Sequence, residues 1–214
     1  ISLSDIPPHL IDATIAIEDK NFYQHAGFDL VAIMRAARET LINKNIQGGS
    51  TITQQLIKST FLTPHVSMER KVKELVLAFW AERLYSKDQN LEMYFNQVPY
   101  GGTAWGIEAA ALTYFGKHAK DLRLSESTLL AGLPSGPSLY SPFGATPDLA
   151  KQRQLEVLDR MKTLGFITSQ EAEDAAVEPL AFAPQVIDIR SPHFVMYVKD
   201  YLIKRFGIRM VEQG

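Results

Sequence analysis

Carboxylates and an imidazole cluster in the segment EDKNFYQHAGFD, which begins at the end of the first predicted helix. Glu18 and Asp19 come first, and Phe22 and His25 follow. If this helix end is buried, burial raises the pKa of Glu18, and its carboxylate can act as a general base near neutral pH. The alternative is a solvated helix end with capping acids, in which His25 is a hydrogen-bonding loop residue. The segment alone leaves both interpretations open.

A glycine pair leads into a second polar cluster, GGSTITQQLIK, at residues 48–58. Ser50 and Thr51 supply hydroxyls, Gln54 supplies an amide and Lys58 supplies a positive charge. A glycine-rich turn into a helix N-terminus suits an anion such as phosphate. The spacing from the glycines to the lysine is not that of a P-loop. The alternative is a well-capped helix with a polar face.

A third cluster contains Arg70, Lys71 and Glu74. Arg70 and Glu74 stand four apart and can form a surface pair that stabilises a helix by only about 0.2–0.5 kcal/mol. The functional interpretation makes Arg70 and Lys71 phosphate clamps beside a second carboxylate. Asn96, at the end of a later predicted helix, can line the same cleft. Together the three clusters suit sugar transfer from a diphosphate-activated donor, in which one carboxylate accepts the acceptor's proton and cations stabilise the departing diphosphate.

Helices are predicted almost throughout, because apolar residues recur at helical spacing between proline, glycine and capping residues. No strand pair with a clear hairpin turn is found, so the predicted fold class is all-α. A proline-interrupted stretch predicts a main domain at 1–178 and a linker with a final helix at 179–214. The helices that must position the three clusters are predicted at 8–19, 29–44, 51–61, 67–86 and 88–97.

Composition limits the class of function. The 214 residues are 46% hydrophobic and 21% charged, which is enough for a sizeable core. With 22 basic and 24 acidic residues the net charge is −2, so no global positive field attracts nucleic acid. The absence of cysteine excludes disulfides and cysteine-based metal sites. No apolar run reaches the roughly 18 residues that span a bilayer. Because the chain opens with Ile1 rather than Met, we expect it to be a piece of a longer protein.

Five ordered segments resemble the motifs of the peptidoglycan glycosyltransferases, family 51, the polymerase domain of class A penicillin-binding proteins. EDKNFYQHAGFD resembles the first motif, GGSTITQQLIK the second and RKVKE the third. KDQNLEMYFNQVPYGG with GIEAAALTYFGK resembles the fourth, and LRLSESTLLAGLPSGPSLYSP the fifth. The resemblance covers about residues 5–175 and implies a lysozyme-like, two-lobed helical domain with a central cleft. The last segment resembles the link to a transpeptidase domain, so we expect that domain, and the family's N-terminal transmembrane anchor, to belong to parts of the parent protein outside this chain.

The resemblance also implies an activity: polymerisation of lipid II into β-1,4-linked glycan strands, with inversion and release of undecaprenyl diphosphate. Glu18 and Glu74 would be the catalytic residues, the first as the general base and the second supporting the leaving group. Glu74 would act either through a divalent cation such as Mg²⁺ or by orienting neighbouring cations, and no residue is assigned as a metal ligand. The implied substrate-binding residues are Asp19, Phe22, His25, Ser50, Thr51, Gln54, Lys58, Arg70, Lys71 and Asn96.

The implied partners are lipid II, the growing glycan strand and the membrane surface, with no nucleic acid. We expect the parent protein to lie in the bacterial cytoplasmic membrane with this domain facing outward. Residues 30–42, with Arg35 and Arg38, predict either an interfacial helix or an ordinary core-facing one. Three positions depart from the family pattern, namely Val66 in place of an arginine, Pro99 in place of a tyrosine and Ser59 after the lysine of the second motif.

Two other functions remain open on the sequence. A lysozyme-like muramidase or lytic transglycosylase would use the acid of Glu18 but would have no role for Lys58, Arg70 and Lys71 around a diphosphate. A non-catalytic helical module that binds lipid or protein would need neither Glu18 nor Glu74.

Overall fold

The computed structural model describes residues 1–29, 34, 49–62, 67–144, 146–184 and 192–207. It divides into two compact units, Ile1–Ala183 and Pro184–Gly214. The described part of the second unit contains one long helix, α9. The first unit contains all the candidate site residues. The boundary predicted after residue 178 stays a prediction of where the functional domain ends.

The described part of the first unit is mainly helical, which confirms the predicted all-α fold class. The helix bounds agree closely with the sequence pattern: the helix predicted at 8–19 is Pro8–Glu18, and the one predicted at 67–86 is Met68–Leu84. Short 3₁₀ turns lie at Leu3–Asp5, Phe22–Gln24 and Ala119–Asp121. The α-helices are α1 (Pro8–Glu18), α2 (Ile52–Phe61), α3 (Met68–Leu84), α4 (Lys87–Gln97), α5 (Ile107–Phe115), α6 (Leu124–Gly132), α7 (Pro147–Thr163), α8 (Ser169–Val177) and α9 (Pro192–Phe206).

Capping residues set where the site helices begin. Proline at the first position of α1 lacks the N–H that a helix start leaves unbonded. Thr51 caps α2 in a reciprocal box with Gln54, in which each side chain bonds the other residue's backbone N–H. Ser67 caps α3 by accepting from the N–H of Arg70. The sequence fixes these starts locally, so the helix registers follow from short-range chemistry.

A short antiparallel strand pair corrects the expectation that no hairpin is present. β1 (Pro99–Gly101) pairs with β2 (Ala104–Trp105). Gly101 and Gly102 have φ values of +113° and +54°, a region that side chains rarely adopt. The Gly-Gly pair is a known turn signal, but the strands are too short for an alternating pattern to reveal them.

The main core brings the end of α1 to the start of α2. Helix α1 packs against α6 and α7, while α2 packs against α3 and α4. Buried side chains from both groups, including Leu10 and Ile52, belong to one hydrophobic cluster. A smaller cluster between α2 and α3 contains Ile57, Ala78 and Ala81. This arrangement places the first two sequence clusters side by side.

Several expectations fall outside the described residues. The helix predicted at 29–44, with Arg35 and Arg38, is represented only by Asp29 and by Met34, which is exposed. Val66, and most of the linker after Pro184, also lie outside them. In the described part of the chain, no helix has both the length and the apolar character needed to cross a membrane.

Candidate active site

A cleft of about 710 Å³ opens in the first unit at the junction of α1, α2 and α7. Its walls carry both acids and bases. They come from the end of α1 and the residues after it, from the first two turns of α2, from the loop before α7, and from α7 itself. The polar and charged lining residues are Glu18, Asp19, Lys20, Asn21, Asp29, Ser50, Thr51, Gln55, Lys58, Ser135, Tyr140, Arg153, Glu156 and Arg160.

Glu18 is the last residue of α1, and its side chain is only 6% exposed. Gln55 donates a hydrogen bond from Nε2 to Glu18 Oε2 at 2.6 Å. On the other side, Nη2 of Arg153 lies 4.0 Å from Glu18 Oε1. Burial raises the pKa of Glu18, while the Gln55 hydrogen bond and the charges of Arg153 and Arg160 partly oppose that rise. The carboxyl group of Glu18 therefore lies in the cleft with its pKa shifted upward, which is the direction that a general base or acid near neutral pH requires.

Asp19 has a structural role that differs from the role of Glu18. Its Oδ2 accepts from the backbone N–H of Ile52 at 3.1 Å, in the first turn of α2. Nε2 of His25 lies 2.9 and 3.0 Å from the two carboxylate oxygens and donates to them. Asp19 thus joins the end of α1 to the start of α2, and His25 acts through Asp19. Both were predicted as substrate-binding residues; the structure places Asp19 in the cleft wall and His25 behind it.

The loop after α1 lies directly on the backbone of α3. The hydroxyl of Thr51 donates to the carbonyl of Gly27 at 2.7 Å. Gly27 has φ +90°, and a Cβ atom there would lie 2.7 Å from the carbonyl oxygen of Ala78. Only glycine permits this approach. The two backbones are therefore in contact with no side chain between them.

Of two neighbouring glutamines, Gln55 and not the predicted Gln54 lies in the cleft. Gln54 was predicted to bind substrate, but it is fully buried, because its side chain folds back to cap the N–H of Thr51 at 3.1 Å. Gln55 instead lines the cleft and contacts Glu18. The Thr-x-x-Gln capping pattern could have predicted this, since the third helical residue of a capping box turns toward the helix start.

Lys71 connects the third sequence cluster to the cleft. Its Nζ donates to Ser50 Oγ at 2.8 Å and forms an ion pair with Glu74. Ser50 lines the cleft, whereas Lys71, Glu74 and Arg70 are not among the described residues that line it. The Glu74 side chain is 2% exposed and that of Lys71 is 39% exposed. Lys58, one turn after Gln55, is exposed and faces the cleft directly.

Two predicted substrate-binding residues lie elsewhere. Phe22 is fully buried in the main core, where Nζ of Lys87 lies 4.5 Å from its ring centroid. Asn96 accepts from the N-terminal amine of Ile1 at 2.7 Å and donates to the carbonyls of Ile1 and Glu92. Neither residue lines the cleft. Phe22 supports the loop from within, and Asn96 holds the first residues of the chain.

The sequence prediction missed a basic face on α7. Arg153 donates to Ser135 Oγ at 3.0 Å and pairs with Glu156 at 2.6 Å. Glu156 also pairs with Arg160 at 3.1 Å, and all three line the cleft. Their spacing predicts one ordered helical face. It carries no signal that this face looks toward Glu18, which lies far earlier in the sequence.

The described residues contain no group of three or more histidine, aspartate or glutamate side chains that could hold a metal ion. The carboxylate of Glu74 is already neutralised by Lys71. These donors do not by themselves match the oxygen-rich shell that Mg²⁺ prefers.

Comparisons with known proteins agree with the site. The sequence model of the transglycosylase family matches residues 1–162. Penicillin-binding protein 1A of Aquifex aeolicus is 44% identical over 211 residues, which cover 97% of this chain and 28% of that protein. Penicillin-binding protein 1F of Bacillus subtilis is 42% identical over 205 residues, 95% of this chain and 28% of that protein. The chain thus spans little more than a quarter of the length of these relatives.

A solved structure is similar in fold. The crystal structure of penicillin-binding protein 1A from Haemophilus influenzae superposes with a TM-score of 0.53 at 24% identity, over 99% of this chain and 22% of that one. This similarity agrees with the predicted lysozyme-like, all-α fold class. Because the family match includes Glu18, the start of α2 and the basic face of α7, the chain belongs to the transglycosylase family, the peptidoglycan glycosyltransferases of class A penicillin-binding proteins.

Proposed function

We propose that this chain polymerises lipid II into β-1,4-linked glycan strands, with inversion at the anomeric carbon and release of undecaprenyl diphosphate. Membership of the transglycosylase family makes it a peptidoglycan glycosyltransferase domain. The observation that carries the finer proposal is the combination at Glu18: a buried carboxyl with a raised pKa, next to a cleft that also presents Lys58, Arg153 and Arg160.

Glu18 is the general base. Its carboxylate removes the proton from the 4-hydroxyl of the acceptor GlcNAc as that oxygen attacks C1 of the lipid-linked MurNAc. The new C1–O bond forms on the face opposite the departing diphosphate, which leaves with the electron pair of the broken bond. The proton then resides on Glu18. Burial brings the pKa of Glu18 closer to neutrality, so its conjugate acid is weaker and the carboxylate is a stronger base than an exposed glutamate.

The cations of the cleft stabilise the charge of the diphosphate. Lys58 faces the cleft from α2, and Arg153 and Arg160 face it from α7. Arginine is well suited to phosphate because its planar fork donates two parallel hydrogen bonds. Lys71 adds positive charge behind Ser50. Glu74 fixes that ammonium, so we assign it the cation-orienting role rather than that of a metal ligand.

Labelled lipid II tests the assignment of the base. Glu18→Gln should lower the rate of glycan polymerisation by about 10²–10⁴-fold, the usual effect of removing a general base. The matched control is Asp12→Asn. Asp12 lies on the same helix and burial also raises its pKa, but it does not line the cleft, so its variant should polymerise normally.

The same assay separates polymerisation from glycan cleavage. A lytic enzyme would release fragments from preformed strands and would leave lipid II unchanged. Lys58→Ala should lower kcat/KM for lipid II, because it removes a cation that faces the diphosphate. Full activity of Glu18→Gln, or fragment release without polymer, would overturn the proposal. Comparing the wild-type rate with Mg²⁺ and with a chelator shows whether a divalent cation contributes.

We also propose that α3 contacts the bilayer that holds the lipid tail of the substrate. Every fourth residue of this helix is a large apolar side chain that is more than half exposed, and Trp80 is 55% exposed. Such a continuous exposed stripe is typical of a surface that meets another apolar phase. The opposite side of α3 holds Lys71 and Glu74 near the cleft. The stripe consists of Met68, Val72, Val76, Trp80 and Leu84.

Vesicle flotation tests this contact. Replacing Val76 and Trp80 together by glutamate should reduce binding to vesicles of anionic phospholipid, because two charges would enter the interface. Val177→Glu is the control, since Val177 is also highly exposed but lies on α8. Equal loss in both variants, or no loss in either, would contradict a specific role for α3. In this arrangement the domain works at the outer surface of the cytoplasmic membrane.

A further inference from the structure

A buried ion pair lies against α2 outside the cleft. The side chain of Glu82 on α3 is 5% exposed, and its Oε2 lies 2.6 Å from Nζ of Lys87 at the start of α4. Thr53, fully buried in the first turn of α2, donates its hydroxyl to Glu82 Oε1 at 2.5 Å. This is the length of a charge-assisted O–H···O⁻ bond. One carboxylate thus connects three helices, and none of these residues lines the cleft.

Thr53 and Gln55 lie on opposite faces of α2. A helix turns by about 100° per residue, so side chains two residues apart leave the axis about 200° from each other. Gln55 faces the cleft, where its Nε2 donates to Glu18 Oε2 at 2.6 Å. Thr53 faces α3 instead. The back of α2 is therefore bonded to Glu82, and its front is bonded to the carboxylate of Glu18.

The hydrogen bond of Gln55 is sensitive to the rotation of α2 about its axis. Side-chain atoms lie about 6 Å from the axis of an α-helix, so a rotation of about 10° moves them by about 1 Å. A displacement of this size is enough to lengthen the 2.6 Å contact beyond the range of a hydrogen bond. Lys58, which faces the cleft one turn later, would move in the same rotation.

Other contacts of α2 constrain this rotation less directly. Asp19 bonds to the backbone N–H of Ile52, and backbone atoms lie within about 2.3 Å of the axis, so this bond has a short lever arm. Leu56 is buried in the core, but the hydrophobic effect has no preferred direction. A buried ion pair is weak evidence for stability, because apolar residues of similar volume are often as stable. What the pair offers Thr53 is a strong acceptor at a fixed place.

We propose that Thr53 acts as a positioning residue for the base by setting the rotation of α2. Its bond to the Glu82–Lys87 pair holds the back of the helix, and the helix in turn keeps Gln55 on Glu18. The inference rests on the proposed function only in calling Glu18 the base. Three other charged groups act on Glu18 and stay unchanged in the test, namely Asp19 beside it and, from α7, Arg153 and Arg160.

The test measures the pKa of Glu18 directly. In the 214-residue chain, the ¹³C resonance of its side-chain carboxyl is followed against pH and assigned by its loss in Glu18→Gln. Thr53→Val removes the hydroxyl and should raise the pKa of Glu18, because Gln55 then donates less to the ionised form. Thr53→Ser keeps the hydroxyl and should leave that pKa at its wild-type value.

A control and a second variant complete the comparison. The hydroxyl of Thr60 donates within α2 to the carbonyl of Leu56 at 2.8 Å, so Thr60→Val should not change the pKa of Glu18. Glu82→Asp keeps the negative charge but withdraws the carboxylate from Thr53 by one methylene group. It should raise the pKa of Glu18 as Thr53→Val does, and it tests the proposal even if the valine variant does not fold.

A double variant shows whether Thr53 acts through Gln55. Gln55→Leu removes the donor and should itself raise the pKa of Glu18. Adding Thr53→Val to this background should produce no further rise. A second rise as large as that of Thr53→Val alone overturns the proposal.

Kinetics gives the matching readout. The acidic limb of the pH profile of kcat/KM should move to higher pH in Thr53→Val, with about a three- to tenfold loss below the pKa that disappears above it. A loss that is equal at all pH values indicates a merely structural role and overturns the proposal. An unchanged Glu18 pKa in Thr53→Val or in Glu82→Asp also overturns it, and so does an equal rise in Thr60→Val.

The two proposals fail in different ways. If the carboxyl titrations shift as expected but lipid II is not polymerised, the proposed function fails and the role of Thr53 in placing Gln55 stands. If polymer forms but the titrations do not shift, the role of Thr53 fails alone.

Discussion

Replacing Lys71 by methionine should destabilise the fold, because the buried carboxylate that pairs with this lysine would lose its positively charged partner. Removing one partner of a buried ion pair costs about 3–5 kcal/mol, and an exposed pair contributes about 0–1 kcal/mol. Glu74 is 2% exposed, but Lys71 is 39% exposed, so water already screens part of the pair. We therefore expect an intermediate loss of about 2 kcal/mol, which is about a 30-fold change in the unfolding equilibrium.

A double-mutant cycle measures the interaction energy of the pair separately from the contacts that each side chain makes with its surroundings. Glu74→Gln alone should cost less than Lys71→Met, because the ammonium that remains can be solvated. The double variant should regain about half or more of the loss, since no buried charge is left. Urea unfolding is followed by circular dichroism and by tryptophan fluorescence. Trp80 on the same helix and Trp105 on β2 both contribute to the fluorescence, so this signal includes a reporter on the helix that carries the pair.

The matched control is Lys73→Met. Lys73 pairs with Glu69 at 2.6 Å on the same helix, but both side chains are well exposed, so its stability should not change measurably. Lys71→Met behaving like this control would refute the reasoning, and so would strict additivity in the double variant. Polymerisation should stay low in the double variant although stability returns, because the positive charge behind Ser50 is gone.

Three further predictions follow from single residues. Gly27→Ala should lower stability by about 2 kcal/mol or more, because φ is +90° and the new methyl group would meet the carbonyl of Ala78; an unchanged melting temperature would contradict this. Glu18→Gln should stabilise the fold near neutral pH. Because burial raises the pKa of Glu18, protonated Glu18 stabilises the fold fully below its ordinary pKa of 4.5, and this stabilisation is lost as pH rises through the raised pKa. Glutamine is neutral at every pH, so the gain in stability of the variant should vanish in acid. Asn96→Ala should leave kcat/KM for lipid II unchanged, because Asn96 lies outside the cleft. A tenfold loss of kcat/KM would show instead that Asn96 contributes to substrate binding or catalysis.

Local chemistry was predictable where the chain itself carries the signal. The starts of α2 and α3 follow from capping residues, and Glu18 follows from an apolar helix that ends in an acid. The exchange of Gln54 and Gln55 also had a local signal, the capping box, which turns the first inward and leaves the second facing the cleft.

Long-range placement was not predictable in the same way. Arg153 and Arg160 form part of a helical face that resembles any solvated basic face, and only the packing of α7 on α1 turns it toward Glu18. Asn96 lies in the last turn of its helix with the expected polarity, yet its side-chain amide donates to the backbone carbonyls of Ile1 and Glu92. Phe22 lies within the first motif but fills the core, because an aromatic ring next to a buried helix end packs inward.

The contact of Gly27 with α3 fixes the position of the loop after α1, which supplies Lys20, Asn21 and Asp29 to the cleft, by main-chain geometry alone. With no side chain between the two backbones, the separation of the loop after α1 from α3 is fixed by the van der Waals radii of peptide atoms. No substitution at position 27 can make that gap narrower. On the α7 side, by contrast, Arg153 and Arg160 reach the cleft through long side chains. Variation in the width of the cleft, and in the size of sugar or stem peptide that it admits, should therefore arise on α7.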